Sequence, residues 1–208
     1  MAYVRWTIRI LILIILGTVL HYTLPQRDIV FISNTEVRRV DFGSNSIFWA
    51  NSGSGDAVDA LNRDVPFIET VQPNGEVIVY RNEDTGWGWP PYFKFDSSDL
   101  QAEAGKLESN EDNPKWVALR HYGWRNTWLS IFPNALSIKQ VDGPDTRLIP
   151  WFNIVFLTIL GAILLTLWRL WRNFRQRRID PVLEDIDEAG DAARGKFSSL
   201  FGRLFGRN

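Results

Sequence analysis

The stretch Arg9-Ile10-Leu11-Ile12-Leu13-Ile14-Ile15-Leu16-Gly17-Thr18-Val19-Leu20-His21-Tyr22-Thr23-Leu24-Pro25-Gln26 decides the fold, because residues 10–26 carry no charged side chain and follow Arg5 and Arg9. Such a segment is either a secretory signal peptide or an uncleaved signal anchor. A signal peptide needs small residues just before its cut, and His21-Tyr22-Thr23 ahead of Leu24-Pro25 supplies no small-x-small pair, so the segment reads as an anchor. If the helix starts at Val4 and the two arginines snorkel, residues 4–24 extend about 31 Å at ~1.5 Å per residue, matching a hydrocarbon core of about 30 Å.

A second apolar run, residues 148–168, is equally free of charge and ends in Arg169, Arg172, Arg175, Arg177 and Arg178. Trp6 near the start of the first run, and Trp151, Trp168 and Trp171 around the second, fall where aromatic belts meet the membrane interface, beside Arg169 and Arg172. Asn153 is the one strongly polar side chain inside the second run, and its position near one end suits a helix–helix hydrogen bond or a headgroup contact.

Positive charge near span ends stays in the cytoplasm. Arg5 and Arg9 therefore place the N-terminus inside, the five arginines place the C-terminus inside, and the middle goes out. The charge agrees: the net is +2 over residues 1–24, -6 over 25–147 and +3 over 148–208, within a chain of 208 residues whose formal net charge is only -1. The expected organisation is a transmembrane anchor at 1–24, an extracytoplasmic domain at 25–147, a second transmembrane helix at 148–170, and a cytoplasmic tail at 171–208. The expected location is a bacterial cytoplasmic membrane with the middle domain in the periplasm. The tight exits Leu24-Pro25-Gln26 and Gly143-Pro144-Asp145 hold that domain close to the bilayer.

With no Cys and only His21 and His121, the chain has no disulfide framework, thiolate site or His-rich zinc site, and no metal or cofactor is expected. Within residues 25–147 short alternating apolar runs lie between turn signals, which predicts six or seven strands: 28–41 as one long or two short strands, 46–50, a hairpin of 67–71 with 76–81, 115–122 and 136–141. Gln72-Pro73-Asn74-Gly75 is the hairpin's turn, since Pro fixes φ at one central position and Asn or Gly accepts φ > 0 at the next. One helix, 98–107, is expected with Asp96 or Ser97 as its N-cap. The fold class is thus membrane-anchored α+β: two transmembrane helices flank a small, mainly-β antiparallel barrel or sandwich, among which the oligonucleotide-and-oligosaccharide-binding (OB) type is one candidate.

The densest motif is Arg81-Asn82-Glu83-Asp84-Thr85-Gly86-Trp87-Gly88-Trp89-Pro90-Pro91-Tyr92-Phe93. Its Trp faces beside carboxylates suit stacking on sugar rings, so Trp87, Trp89, Tyr92, Glu83 and Asp84 are candidate ligand or partner contacts. The competing reading has the tryptophans closing a barrel end or lying in the membrane interface. Glu83 and Asp84 do not make a glycosidase acid pair, because adjacent residues of an extended segment face opposite ways. A second patch, residues 121–134, adds Trp124 and Arg125 as candidate contacts, while His121 has no nucleophile or orienting partner at fixed spacing. Ser52-Gly53-Ser54-Gly55-Asp56 lacks the following Lys of a phosphate loop and reads as a surface turn. In the tail, Phe197, Phe201 and Phe205 share a helical face ringed by basic residues, the composition of an interfacial amphipathic helix.

Four blocks, His21-Tyr22-Thr23-Leu24-Pro25-Gln26-Arg27-Asp28-Ile29-Val30, Val79-Tyr80-Arg81-Asn82-Glu83-Asp84-Thr85, Phe93-Lys94-Phe95-Asp96-Ser97-Ser98-Asp99-Leu100-Gln101, and Tyr122-Gly123-Trp124-Arg125 with Phe132-Pro133-Asn134, occur in the order in which the chain resembles an uncharacterised family of bacterial membrane proteins. The resemblance covers the chain to about residue 147 and implies a bacterial cytoplasmic membrane; it implies no activity. The expectation is a non-enzymatic envelope accessory or scaffold protein, the alternative a periplasmic glycan- or lipid-headgroup-binding module. Expected partners are the lipid bilayer and another envelope or membrane protein, with homo-oligomerisation left open. The acidic middle domain argues against nucleic acid.

Overall fold

The structure, a computed structural model, describes residues 2–41, 62–179 and 181. It is α+β, with three α-helices and a five-stranded mixed sheet among the described residues, and the chain divides into two compact units, Met1–Asn153 and Ile154–Asn208.

The first unit opens with α1, Ala2–Thr23. Its apolar side chains are largely exposed, with no other described part of this chain covering them. Strand β1, Gln26–Asp41, starts three residues after α1 ends, then come β2, Asn62–Val71, β3, Val77–Arg81, the helix α2, Ser97–Lys106, β4, Trp116–Tyr122, and β5, Asn134–Gln140. The strand expected at 46–50 and the turn at 52–56 lie outside the described residues, as does the amphipathic tail with Phe197, Phe201 and Phe205.

Strand β1 is one long strand serving two neighbours: its first half pairs with β4 (Gln26↔His121 to Phe31↔Trp116) and its second with β2 (Phe31↔Val71 to Asp41↔Asn62). The register shifts between Ile32 and Asn34, and the extra residue, Ser33, turns outward with its hydroxyl on the Glu69 carbonyl at 3.2 Å. Such a bulge bends a strand and lets it leave one partner for another. The strand order is β1-β2-β3-β5-β4, with β4 back against β1, so each strand has two partners. Among the described residues the strands form one sheet, not the two separate sheets that a sandwich requires.

The expected all-antiparallel pairing is corrected at one place, where β3 and β5 run parallel through the pair Arg81↔Asn134. The cause is the α2 crossover: the chain leaves β3, passes through the helix, descends β4 and rises again in β5 alongside β3 in the same direction.

The β2–β3 turn follows its sequence. Gly75 takes φ +83 and donates to the Gln72 carbonyl at 2.9 Å, while Asn74 Oδ1 accepts the Glu76 N–H at 3.0 Å. The N-cap falls at Asp96, one of the two positions expected, but its side chain makes no capping hydrogen bond; Asp84 Oδ1 instead accepts the Ser97 N–H at 2.9 Å. A cap from β3's extension ties the helix to the sheet, and Asn82 strengthens the tie by donating to the Ser97 carbonyl and Gln101 Oε1, both at 2.8 Å. Helix α2 buries Leu100 and Ala104, one turn apart on one face, in a core of Val30, Ile32, Ile68, Tyr80, Val117 and Ile138.

Helix α3, Trp151–Phe174, starts later than the apolar run because Pro150 disfavours helix in the residue before it. It passes Arg169 and Arg172 before a π-helical turn, Arg175–Ile179. Helices Tyr3–Thr23 and Trp151–Ile179 are long and apolar enough to cross a membrane.

Candidate functional site

The chemistry-bearing residues of the first unit gather at the end of the sheet where α1 arrives. The last turn of α1 is fastened there by three hydrogen bonds: Gly123 N–H donates to the Tyr22 carbonyl at 2.9 Å, Trp124 Nε1 to His21 Nδ1 at 2.8 Å, and the Tyr92 hydroxyl to the Thr23 carbonyl. The accepting carbonyls are among the last of a helix, which have no partner inside it. Gly123 holds φ +89, a left-handed backbone conformation that favours glycine, while a Cβ there would meet Pro133 and the Tyr22 ring only at ordinary contact distance, 3.6 Å. Aromatic edges complete the joint: Tyr22 meets Trp124 at 5.2 Å and Tyr122 at 6.2 Å, and Tyr92 stacks on Tyr122 at 5.0 Å.

Above these rings lies a buried polar network. Arg81 Nη1 and Glu83 Oε2 are 3.0 Å apart with side chains 2% and 5% exposed. Arg81 also hydrogen-bonds to the hydroxyls of Tyr22 and Tyr122. Asn134 accepts the Glu83 N–H at 2.9 Å and donates to the Glu83 carbonyl at 3.0 Å, bridging β5 to the loop after β3. Lys94 is buried and donates to Asn82 Oδ1 and, at 2.8 Å, to the Ala135 carbonyl. Burial pulls its ammonium down to about 8, despite the opposing pull of Asp84, Asp96 and Glu83.

Within the sheet, Asp28 Oδ2 lies 2.9 Å from His121 Nε2 and accepts the Tyr80 hydroxyl at 2.5 Å. Burial alone would raise the Asp28 carboxyl; the His121 and Tyr80 hydrogen bonds overcome it and leave the group below its ordinary value. Tyr80 moves up, through burial first and the Asp28 charge second. His121, read from sequence as lacking an orienting partner, thus has one from β1.

The candidate contact residues of the two patches separate into different environments. Glu83 is buried in its ion pair, and Asp84 faces out as the α2 cap, so the two carboxylates diverge. Tyr92 and Trp124 hold the α1 joint. Arg125 clamps a hairpin, its Nη1 donating to the Asn126 and Ile131 carbonyls at 3.3 and 3.0 Å with its guanidinium 4.2 Å above the Phe132 ring. Trp87 and Trp89 are open, at 84% and 73% exposure, joined by Trp128 at 95%. Trp87 meets Phe93 and Phe95 at 5.2 and 6.1 Å.

Sequence reading missed the Arg81–Glu83 pair, the Asp28–His121–Tyr80 cluster and the role of His21 and Tyr22. The one available signal was charge at positions 81 and 83, two apart, directly after an alternating apolar strand.

Of the residues expected at a membrane interface, Trp6 is exposed with Arg9 5.3 Å from its ring centre, and Trp168 has Arg172 at 5.6 Å. Trp151, Trp171 and Arg169 are exposed. Asn153 donates to the Pro25 carbonyl at 2.9 Å, and Arg27 Nη1 to the Ile149 carbonyl at 3.2 Å, so the two connections to the domain are tied to each other.

The described grooves lie away from these clusters: one of about 470 Å³ between α2 and β5, lined by Asp99, Glu103, Lys106 and Gln140, and one of about 590 Å³ beside Asn113, Trp116 and Asp142. Neither is lined by Glu83, Lys94 or His121.

No solved structure matches the chain. An uncharacterised protein of Haemophilus influenzae is 41% identical over 143 residues, which is 67% of this chain and 77% of that protein. A family model described as a protein of unknown function (DUF1523) matches residues 1–175, and the chain belongs to that family.

Proposed function

We propose that the chain is a non-enzymatic accessory or scaffold protein of a bacterial cytoplasmic membrane, with both termini in the cytoplasm and residues 25–147 in the periplasm, where they contact another membrane or envelope component. The observation that carries this reading is the joint between α1 and the sheet. Three hydrogen bonds from distant loops, the Tyr22–Tyr122–Trp124 ring contacts and the buried Arg81–Glu83 pair fasten the end of a membrane-length helix to the domain. Groups that a hydrolase would point at substrate are here committed to that architecture. The orientation rests on the arginines that precede α1's apolar run and follow that of α3.

The sheet reads as an OB-type barrel. Supporting this are the order β1-β2-β3-β5-β4, the helix between β3 and β4, and the parallel β3–β5 contact. Such a fold hosts many functions and assigns none.

The test is gentle detergent extraction of the tagged protein from its native membrane, followed by mass spectrometry. A stoichiometric protein partner supports the scaffold reading. Recovery without one favours a second reading, a glycan- or lipid-headgroup-binding module, which the open indole faces of Trp87 and Trp89 recommend. A Trp87→Ala, Trp89→Ala variant that keeps its partners but loses glycan binding decides for that second reading.

A further inference from the structure

Two loops at the α1 end of the sheet end in apolar tips that carry no charge. Residues 86–93, Gly-Trp-Gly-Trp-Pro-Pro-Tyr-Phe, and residues 126–134, Asn-Thr-Trp-Leu-Ser-Ile-Phe-Pro-Asn, contain no acidic or basic side chain, although the domain around them is charged and acidic. Their large side chains are turned outward: Trp87 is 84% exposed, Trp89 73%, Trp128 95% and Leu129 46%.

Both tips are held in shape. The Asn126↔Ile131 bridge closes the second loop with N–H···O distances of 2.9 and 3.0 Å, Asn126 Oδ1 accepts the Leu129 N–H at 3.1 Å, and the Arg125 clamp lies at its base. In the first loop Gly86 donates to the Lys94 carbonyl and Gly88 to the Thr85 carbonyl, while Tyr92 is anchored on Thr23. A small hairpin that presents an indole at its tip has no core reason to do so.

The position of the tips says what covers them. A 22-residue α1 is about 33 Å long at ~1.5 Å per residue, enough to cross a hydrocarbon core of about 30 Å, so its last residues fall at the water boundary. The loops are bonded to those residues. Trp89 is three residues from Tyr92 and Trp128 four from Trp124, reaches of at most about 10 and 14 Å at ~3.5 Å per residue. Exposed indoles this near the end of a span match the enrichment of Trp at the headgroup level, where the ring is half in an apolar and half in a wet medium.

We propose that these two loop tips form a membrane-interface seat, with Trp87, Trp89, Trp128 and Leu129 set in the headgroup layer of the bilayer that α1 crosses. The seat fixes the tilt of the domain by contacts on either side of the α1 joint, so the domain stands on its span without swinging about it. The inference rests on the reading of α1 as a membrane span, and the test separates the two.

The chain has no cysteine, so single substitutions Trp87→Cys, Trp128→Cys, Asn74→Cys and Ile14→Cys can each carry one environment-sensitive thiol-reactive fluorophore. Trp87, Asn74 and Trp128 are exposed, so these substitutions leave the buried core untouched. The full chain is reconstituted in phosphatidylethanolamine and phosphatidylglycerol vesicles containing lipid spin-labelled either at the headgroup or deep in the acyl chain. Quenching at position 14 by the deep label verifies the span, and its absence sinks that reading. With the span verified, the seat requires loss of emission at 87 and 128 with the headgroup label, while position 74, in the β2–β3 turn at the other end of β3, keeps its emission. Emission at 87 and 128 that survives as it does at 74 overturns the seat, whether water or a second protein covers the tips.

Discussion

Glu83 and Arg81 form an ion pair with almost no exposure, and the removal of one member leaves the other charged and desolvated. Glu83→Ala should therefore destabilise the domain by about 3 to 5 kcal/mol, while the double change Arg81→Met, Glu83→Leu should cost markedly less. Denaturant unfolding in detergent, followed by near-ultraviolet circular dichroism, measures both; equal losses would mean that the pair is not the unit. Lys94 gives a pH signature. Between about 8 and 10.5 the unfolded chain keeps a proton that the folded domain has released, so stability rises with pH across that window. Tyr80, Tyr92 and Tyr122, all raised above their ordinary 10.0 mainly by burial, oppose it: above that value the folded state alone keeps their protons, and stability falls. At the acid end Asp28 has its value lowered below 3.8, so its contribution is present above that pH and is lost as pH falls through the folded value. Lys94→Met should flatten the rise above pH 8 and leave the acid limb in place; a rise that persists in the variant assigns it to another group.

Two elements shape the domain, the loop at Gly123, which receives α1, and helix α2, which packs on the sheet. Gly123→Ala places a Cβ at φ +89 and should cost about 1 to 2 kcal/mol, whereas Gly143→Ala, with open space at its Cβ, should be close to neutral. Leu100→Ala removes the main contact of α2 with the core and should cost about 2 to 5 kcal/mol, read from the same unfolding curves. The apolar helices were legible in the sequence because an uncharged run between arginines is a local signal. The β2–β3 hairpin was legible because Pro73, Asn74 and Gly75 dictate the turn between them. The Ser33 bulge and the parallel β3–β5 contact were not, since each depends on which strand lies alongside. The cap on α2 was expected at Asp96 or Ser97, and Asp96 holds that position, yet the carboxylate that bonds the free N–H of Ser97 is Asp84, from 13 positions away. The Trp87 and Trp89 loop stood out by composition, but the partners of His21 and Thr23 lie 103 and 69 positions along the chain, beyond any periodicity.

At the scale of the molecule, the α1–sheet joint makes the first helix and the domain one unit, and the ties Asn153 to Pro25 and Arg27 to Ile149 bring the start of α3 to the same place. A domain fastened in this way transmits the position of its apolar helix to its surface, which is what the proposed scaffold requires. The proposed orientation is the central claim, because the scaffold reading depends on which side the domain occupies. The direct measurement is thiol labelling of single-cysteine variants with a membrane-impermeant maleimide in intact spheroplasts. Asn74→Cys should react at once, and a cysteine appended after Asn208 should react only after the membrane is permeabilised. The reverse pattern, with the appended cysteine reactive and position 74 protected, would contradict the account.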